Sequence, residues 1–107
     1  MNYILKGIAA SKGVAEGMVC VVESVKDIER FQEGSILVAE LTEPLMVIMM
    51  NKAAAIVTNK GGITTHAAIV SRELGIPCVT GTKEGTTILK DGMRVRVDGN
   101  TGEIYEL

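Results

Sequence analysis

The sequence predicts an α/β domain in which a short parallel βαβαβ unit is flanked by antiparallel strands. Short apolar runs alternate with helical segments between residues 36 and 80, which is the pattern of strands connected by helical crossovers. After residue 86, brief β-branched runs alternate with Asp-Gly and Asn-Thr-Gly turns, which is typical of antiparallel pairs. The length of 107 residues is enough for one core but too short for two. We therefore expect a single domain over residues 1–107 with one functional site.

The parallel unit accounts for the middle of the chain. Its strands are predicted at Ile36–Ala39, Ala54–Val57 and Cys78–Thr80. Thr42 is expected to cap the helix after the first strand, with Pro44 in the first turn of that helix. The second helix is expected from about Thr65 to Leu74, because Gly75 then ends it.

Ligand-binding residues are expected along one edge of this unit. In parallel crossovers, every helix starts at the carboxyl edge of the strands. Thr42, the turn formed by residues 61–66 and the pair Gly81-Thr82 should therefore gather along this edge, where ligands of open α/β sheets usually bind.

The flanking segments are predicted to form antiparallel strands and one short helix. The expected elements are a strand at Asn2–Lys6, a loop at Gly7–Gly13, a long strand at Val14–Glu23, a helix from Ser24 through Arg30, and strands at Thr87–Leu89, Arg94–Val97 and Glu103–Tyr105. Gly17 should bend the long strand, and Ser24 with Asp27 forms a capping-box pattern. The last strands should pair with the two N-terminal ones.

Composition argues against two classes of partner. The net charge is −2, from 11 basic and 13 acidic residues spread along the chain, and aromatic residues make up 3%. This leaves no basic stripe for a phosphate backbone and no stacking platform for bases. The apolar run Leu45–Met50 is far shorter than the roughly 20 residues of a membrane span, and the N-terminus lacks the layout of a signal peptide. We therefore expect a cytoplasmic protein that binds neither nucleic acid nor a membrane.

No metal site is predicted. Cys20 and Cys78 lie far apart, without a CxxC motif or a cysteine-histidine cluster, so we expect buried free thiols rather than zinc ligands. The chain also lacks a GxxxxGK[ST] nucleotide loop and a group of carboxylates for Mg²⁺.

The only histidine, His66, is predicted at the start of the second helix, with Thr65 or Thr64 as the N-cap. The unpaired N–H groups of the first turn and the positive end of the helix dipole favour an anion at this place and disfavour an imidazolium. We therefore expect a neutral imidazole, which is the nucleophilic form. A histidine of this kind, without nucleotide or metal machinery, suits a phosphoryl carrier better than a complete enzyme.

A cradle for a phosphate is expected from four of the residues that precede His66. Gly61 and Gly62 would let the backbone approach the phosphate closely, and the hydroxyl groups of Thr64 and Thr65 could donate to its oxygens.

Local chemistry also allows a simpler interpretation, in which His66 is a lone surface histidine after a Gly-Gly turn. Arg72 lies about 120° around the helix from His66 and is expected to complement the negative helix end. Glu73 shares the face of His66 but lies about 10 Å away, too far to orient the ring.

Three segments resemble the phosphohistidine, or mobile swivelling, domain of the PEP-utilising enzymes: phosphoenolpyruvate synthase, pyruvate phosphate dikinase and enzyme I of the sugar phosphotransferase system. The most specific is Gly61–Pro77, which reads GGITTHAAIVSRELGIP. Leu5–Gly17 is similar to the opening of that domain, and Leu89–Gly99 is similar to its close. The resemblance implies a β/β/α swivelling fold in which His66 is phosphorylated on Nε2.

The resemblance also implies partners and cofactors. In the family, this domain carries phosphoryl between an ATP-grasp-type nucleotide-binding domain and a PEP/pyruvate-binding barrel, and the Mg²⁺ with ATP or PEP belongs to those partners. Thr64 matches a regulatory phosphorylation position of some plant dikinases. Thr65 stands where the family commonly has Ser or Cys, and it keeps a hydroxyl group.

Neither partner domain is present in these 107 residues, so the chain is expected to be a partial phosphotransferase component. Two alternatives stay open at this point. The chain could be a non-catalytic regulatory module that binds an anion or a partner, or a small structural subunit of a larger enzyme.

Overall fold

A computed structural model describes the fold of residues 2–107. The strands of this part of the chain are β1 (Leu5–Lys6), β2 (Ile8–Ser11), β3 (Val14–Val21), β4 (Ile36–Ala39), β5 (Ala55–Thr58), β6 (Cys78–Thr80), β7 (Arg94–Asp98) and β8 (Glu103–Glu106). The α-helices are α1 (Val47–Met50), α2 (His66–Leu74) and α3 (Gly85–Ile88), and 3-10 helices form at Val25–Arg30 and Pro44–Met46. Among these helices, none has the length and apolar character needed to cross a bilayer.

The strands form one mixed sheet with the order β1-β8-β7-β3-β4-β5-β6-β2. The neighbours from β3 to β6 are parallel, which confirms the predicted parallel unit and adds β3 to it. β7 pairs antiparallel with β3 and β8, and β8 pairs antiparallel with β1, so the last strands join the two N-terminal strands as expected. The predicted α/β class is confirmed.

The long strand β3 links the two halves of the sheet by changing partner. Residues Val14–Met18 pair with β7, whereas Val19–Val21 pair with β4. The change follows Gly17, where a Cβ atom would lie 2.6 Å from the carbonyl oxygen of Gly34. Only glycine allows this approach, so the irregularity expected at Gly17 is a close contact at the point where the two halves meet.

The parallel strands are buried on both faces, which gives the molecule three layers. Alternate side chains of β4 and β5 point to opposite sides of a strand. Leu37, Ala39 and Ile56 join Met49, Met50, Ala67 and Ala68 of the helical layer. Ile36, Val38, Ala55 and Val57 join Leu5, Val95, Val97 and Ile104 of the antiparallel layer. α1 and α2 therefore cover the same face of the parallel strands and contribute to one core.

Two smaller predictions are confirmed. Cys20 and Cys78 are buried free thiols. The capping box at the start of the first 3-10 helix is also formed, with the Ser24 hydroxyl accepting from the Lys26 N–H and the Asp27 carboxylate accepting from the Ser24 N–H. Burial alone would raise the pKa of Asp27, but hydrogen bonds from Glu23, Arg30 and Ser24 outweigh it and hold that pKa below its usual value.

The loop predicted at Gly7–Gly13 is wrong over four residues, because Ile8–Ser11 forms β2. β2 pairs antiparallel with β6 at the edge of the sheet, with an irregularity between Ala9 and Ser11. Its short side chains give no clear alternation, and the partner strand lies about 70 residues away in the sequence. Local patterning could not show this pairing.

The strand predicted at Thr87–Leu89 is also wrong. The N–H groups of Thr87 and Ile88 donate to the Glu84 carbonyl oxygen, and Gly85–Ile88 is one helical turn. The N–H of Thr86 donates to Oδ1 of Asn59 at 2.9 Å, which anchors this turn to the end of β5. Tertiary contacts here override the β propensity of the two threonines and Ile88.

Candidate functional site

His66 is the first residue of α2, and Thr65 is its N-cap, as predicted. Thr65 has extended backbone angles, with φ −79° and ψ 165°, and Gly75 ends the helix in the left-handed conformation at φ 72°. The imidazole is half-buried. Nδ1 lies 2.8 Å from Oγ1 of Thr42, whereas Nε2 has no hydrogen-bond partner in residues 2–107. The ring is thus held through one nitrogen, and the other makes no hydrogen bond within this part of the chain.

Thr42 does not cap a helix, which corrects the prediction. The N-cap of the 3-10 helix Pro44–Met46 is Glu43, whose side chain makes no capping bond. Thr42 is nevertheless buried, at 7% exposure, three residues after the end of β4. Since its hydroxyl group is not used by a helix end, it is available to His66.

The hydrogen bond to Thr42 bears on which ring nitrogen can react. In a neutral imidazole, one nitrogen carries a proton and the other carries a lone pair. If Nδ1–H donates to the Thr42 oxygen, the lone pair lies on Nε2, which is the nitrogen without a protein partner. The reverse direction, with the Thr42 hydroxyl donating to Nδ1, would put the proton on Nε2 and remove its nucleophilicity. The distance fits both tautomers.

The turn before His66 presents a row of unpaired backbone donors. The N–H groups of residues 61–68 donate to no acceptor among residues 2–107. Such donors are the expected orphans of a helix start, and here the preceding glycines extend the row. Gly61 has φ 112°, a conformation that other residues rarely adopt. This arrangement is chemically suited to an anion beside the ring.

Two threonine hydroxyls hold Gly62 in place. Oγ1 of Thr65 donates to the Gly62 carbonyl oxygen at 3.0 Å, and Oγ1 of Thr80 donates to the same oxygen at 3.2 Å. Thr65 also contacts Gly61, where a Cβ atom would meet its side chain at 2.9 Å. In this geometry the Thr65 proton is committed to the turn, whereas Thr64 is exposed and its hydroxyl group is uncommitted among residues 2–107.

Gly81 lies against the turn before His66, whereas the side chain of Thr82 points into the protein interior. Gly81 has φ 64°, and a Cβ atom there would lie 2.9 Å from the Gly61 carbonyl oxygen. Thr82 is buried, and both its N–H and its hydroxyl group donate to the Thr58 carbonyl oxygen. Of the residues expected along the carboxyl edge, Thr42 contacts His66 directly, Gly81 contacts the glycine turn, and Thr82 fastens the β6 end to β5.

Sequence reasoning missed one residue that shapes the turn, Thr80, and gave another, Arg72, a different role. Thr80 is the last residue of β6, and its position just before the edge loop is the signal that could have identified it. The guanidinium of Arg72 does not cover the negative end of α2, which corrects the expectation. It donates to the Ala10 carbonyl oxygen and to the Ile63 carbonyl oxygen, both at 2.8 Å. Arg72 therefore ties the turn before His66 to β2. Nothing in its helical position predicts those acceptors.

Comparison with known proteins assigns this chain to a family. Residues 31–102 match the family model described as PEP-utilising enzyme, mobile domain. A probable phosphoenolpyruvate synthase of Archaeoglobus fulgidus is 58% identical over 105 residues, which cover 98% of this chain and 14% of that protein. The phosphoenolpyruvate synthase of Pyrococcus furiosus is 57% identical over the same length, covering 98% of this chain and 13% of that protein. The chain thus spans about one seventh of the length of the curated relatives it matches.

Among solved structures, the solution structure of an Enzyme I protein (nEIt) has a TM-score of 0.61 and 33% identity, covering 69% of this chain and 31% of that one. The holo-form of aconitase X from Thermococcus kodakaraensis has a TM-score of 0.70 and 25% identity, covering 96% of this chain and 97% of that one. The fold therefore occurs in proteins as different as Enzyme I and aconitase X, whereas the family model matches residues 31–102 of this chain. The chain belongs to the mobile-domain family of the PEP-utilising enzymes.

Proposed function

We propose that this chain is a phosphoryl carrier in which His66 forms a phosphohistidine and passes the group to an acceptor on a partner. The lone pair of Nε2 attacks the phosphorus of an enol phosphate or phosphoanhydride donor. The N–P bond forms as the P–O bond to the leaving group breaks, and the leaving oxygen keeps the electron pair. Nδ1 keeps its proton throughout, and this N–H donates to the Thr42 oxygen. Transfer to the acceptor reverses these bond changes.

One observation carries the proposal: Nδ1 of His66 is 2.8 Å from Thr42, whereas Nε2 lacks a protein partner and stands at a helix start with unpaired N–H groups. A phosphoryl group on Nε2 would bring negative oxygens to these donors, and each such interaction at a helix start is worth roughly 0.3 to 2 kcal/mol. The glycines of the turn would allow the approach. The hydroxyl groups of Thr64 and Thr65 remain candidate donors, Thr65 after release from Gly62.

The donor and acceptor sites belong to other domains or chains in this proposal. The relatives are much longer than this chain, and two of them are named for phosphoenolpyruvate synthase activity. We propose partners with an ATP-grasp-type nucleotide site and a PEP/pyruvate site, where Mg²⁺ and ATP or PEP would be bound. This chain would contribute in-line positioning and charge stabilisation.

Thr64 is a proposed regulatory position for the same site. Its side chain is exposed, and it lies two residues before His66. A phosphate ester on Thr64 would carry a charge of about −1.5 to −2 at neutral pH and would repel an incoming phosphoryl dianion. His66 should therefore accept a phosphoryl group more slowly in a Thr64→Asp variant than in Thr64→Ser.

The carrier role can be tested in trans. The Archaeoglobus fulgidus relative would be prepared with the histidine aligned with His66 changed to alanine, so that it cannot carry the group itself. The 107-residue chain would be incubated with this Archaeoglobus fulgidus variant and labelled PEP, and it should gain label that is acid-labile and alkali-stable. The His66→Ala variant of this chain should gain none. Label that persists in His66→Ala would contradict the assignment, and tight phosphate binding without transfer would support the regulatory-module alternative.

A further inference from the structure

Five large, exposed apolar side chains flank the site, and we call them the apolar collar. They are Leu41, Leu45, Ile48, Ile63 and Ile69, with exposed fractions from 43% to 68%. Leu41 directly precedes Thr42, and the next two residues of the collar follow Thr42 in the 3-10 turn and α1. Ile63 and Ile69 lie on either side of His66, in the turn and in α2. The collar thus belongs to the two segments that hold Thr42 and His66.

Packing places these segments on one face of the molecule. Met49 and Met50 of α1 belong to the same buried cluster as Ala67 and Ala68 of α2, and the 2.8 Å contact between Thr42 and His66 joins the two segments. Leu45 of the 3-10 helix and Ile48 of α1 are three residues apart and exposed, while Met46 and Met49 are buried. Ile69 lies one turn from His66 and about 60° around α2. Single exposed apolar residues are common, but a group of this size around a reactive side chain indicates a contact surface.

An acidic groove adjoins the collar. This cavity has a volume of about 550 Å³, and its lining residues are Val21, Val22, Glu23, Glu40, Leu41, Glu43, Met46 and Thr86. Glu40 and Glu43 stand on either side of Leu41 and Thr42 in the sequence. Oε1 of Glu40 accepts from Nδ2 of Asn59 at 2.7 Å, which fixes that carboxylate at the end of β4. No lysine or arginine of the described residues lines the groove.

We propose that the apolar collar and the acidic groove form one docking surface for a protein whose phosphoryl-binding site is surrounded by arginine or lysine. The inference rests on the carrier function proposed above. A site that holds a phosphoryl donor needs cationic groups to bind the phosphate oxygens. The carboxylates of the groove would pair with arginine or lysine side chains at the edge of the partner's phosphoryl-binding site. The collar would exclude water around His66. A second copy of this chain fits poorly, because its groove would bring like charges together.

The test uses the trans assay and measures KM and kcat for this chain as the phosphoryl acceptor. We expect Leu45→Gln and Ile63→Gln each to raise KM by roughly 5- to 30-fold with little change in kcat, as for residues of a docking centre. Met18→Gln is the matched control, since Met18 is 47% exposed on β3, outside the two segments. KM values for the collar variants equal to that of Met18→Gln would overturn the inference.

The groove is tested through charge and salt. Glu43→Lys should raise KM by roughly tenfold at low ionic strength and less at 0.5 M salt, because screening weakens the attraction that the variant has lost. Glu33→Lys makes the same charge change at an exposed residue outside the groove and should leave KM near that of the unmodified chain. Equal effects from both variants would show that only net charge matters, which contradicts a specific docking surface.

A binding measurement separates this inference from the carrier proposal. His66→Ala should still bind the partner, and adding Leu45→Gln to it should weaken binding by the same 5- to 30-fold factor. If the unmodified chain is never labelled but this binding pattern holds, the carrier proposal fails and the docking surface stands. If labelling proceeds but the collar variants bind and react like Met18→Gln, the docking surface fails and the carrier proposal stands.

Discussion

Oγ1 of Thr42 and Nδ1 of His66 lie 2.8 Å apart, although the two residues are 24 positions apart and belong to different crossovers. The sheet accounts for this proximity. β4 and β5 are adjacent and parallel, and their last residues, Ala39 and Thr58, are paired. The loops that leave these strands therefore start side by side at the carboxyl edge, and one delivers Thr42 while the other delivers His66.

Removing the Thr42 hydroxyl group should slow transfer to His66. Thr42→Val keeps the side-chain volume but leaves Nδ1 without its partner. The lost hydrogen bond is worth about 0.5 to 1.5 kcal/mol, and with it the ring loses the interaction that fixes its orientation and tautomer. The expected loss in labelling rate is roughly 2- to 13-fold. Thr42→Ser should retain most of the rate. Imidazole ¹⁵N shifts measure the tautomer directly, and a proton on Nε2 in the unmodified chain would contradict the proposed role of Thr42.

Much of this site could be predicted from the sequence, because its parts are local. The helix start at His66 follows from its cap and from the apolar spacing after it, and the orphan N–H groups follow from any helix start. The partner of His66 could not be predicted, since Thr42 looked like a cap and only the register of β4 with β5 shows otherwise. β2 was missed for the same reason, as its strand character depends on distant β6.

Arg72 should stabilise the turn before His66. Its guanidinium donates at 2.8 Å to carbonyl oxygens of both Ala10 and Ile63. The side chain is exposed, so we expect Arg72→Met to lower the free energy of unfolding by only about 1 kcal/mol, while ¹⁵N relaxation shows greater motion at residues 61–65. Lysine carries a compact ammonium group that is poorly shaped to reach both acceptors, so Arg72→Lys should resemble Arg72→Met.

Arg94→Met is the control for this prediction. Arg94 is exposed, and its guanidinium makes no hydrogen bond or salt bridge within residues 2–107. The Arg94 variant should leave the motion of residues 61–65 unchanged. If both variants change this motion equally, the tie between Arg72 and the turn has no role in its order.

Gly81 should be less tolerant of substitution than Gly75, although both have left-handed backbones. At Gly75 a Cβ atom would meet nothing within 4 Å, so Gly75→Ala should destabilise by about 1 to 2 kcal/mol from backbone strain alone. At Gly81 the Cβ atom would lie 2.9 Å from the Gly61 carbonyl oxygen, which adds roughly 1 to 3 kcal/mol. Urea unfolding measures both losses.

The two glycine variants should also differ at the site. Gly81→Ala should shift the amide resonances of residues 61–65 and slow labelling of His66, because the contact displaces Gly61. Gly75→Ala should leave these resonances in place. Unchanged resonances in a folded Gly81→Ala variant would mean that the β6 loop absorbs the contact, and the predicted link to the turn would be wrong.

Cys78 should make the fold sensitive to alkaline pH. Burial raises the pKa of its thiol from 9.0 to about 11, because the thiolate would be desolvated in the core. The unfolded chain therefore loses this proton first as pH rises. The stabilising contribution is complete below pH 9 and is lost as pH approaches 11, by about 3 kcal/mol in total. Urea unfolding at pH 8 and 10.5 should show a smaller drop for Cys78→Ala than for the unmodified chain. Val79→Ala, which removes the neighbouring core side chain without a titrating group, should keep the full drop, and an equal drop in all three proteins would contradict the burial argument.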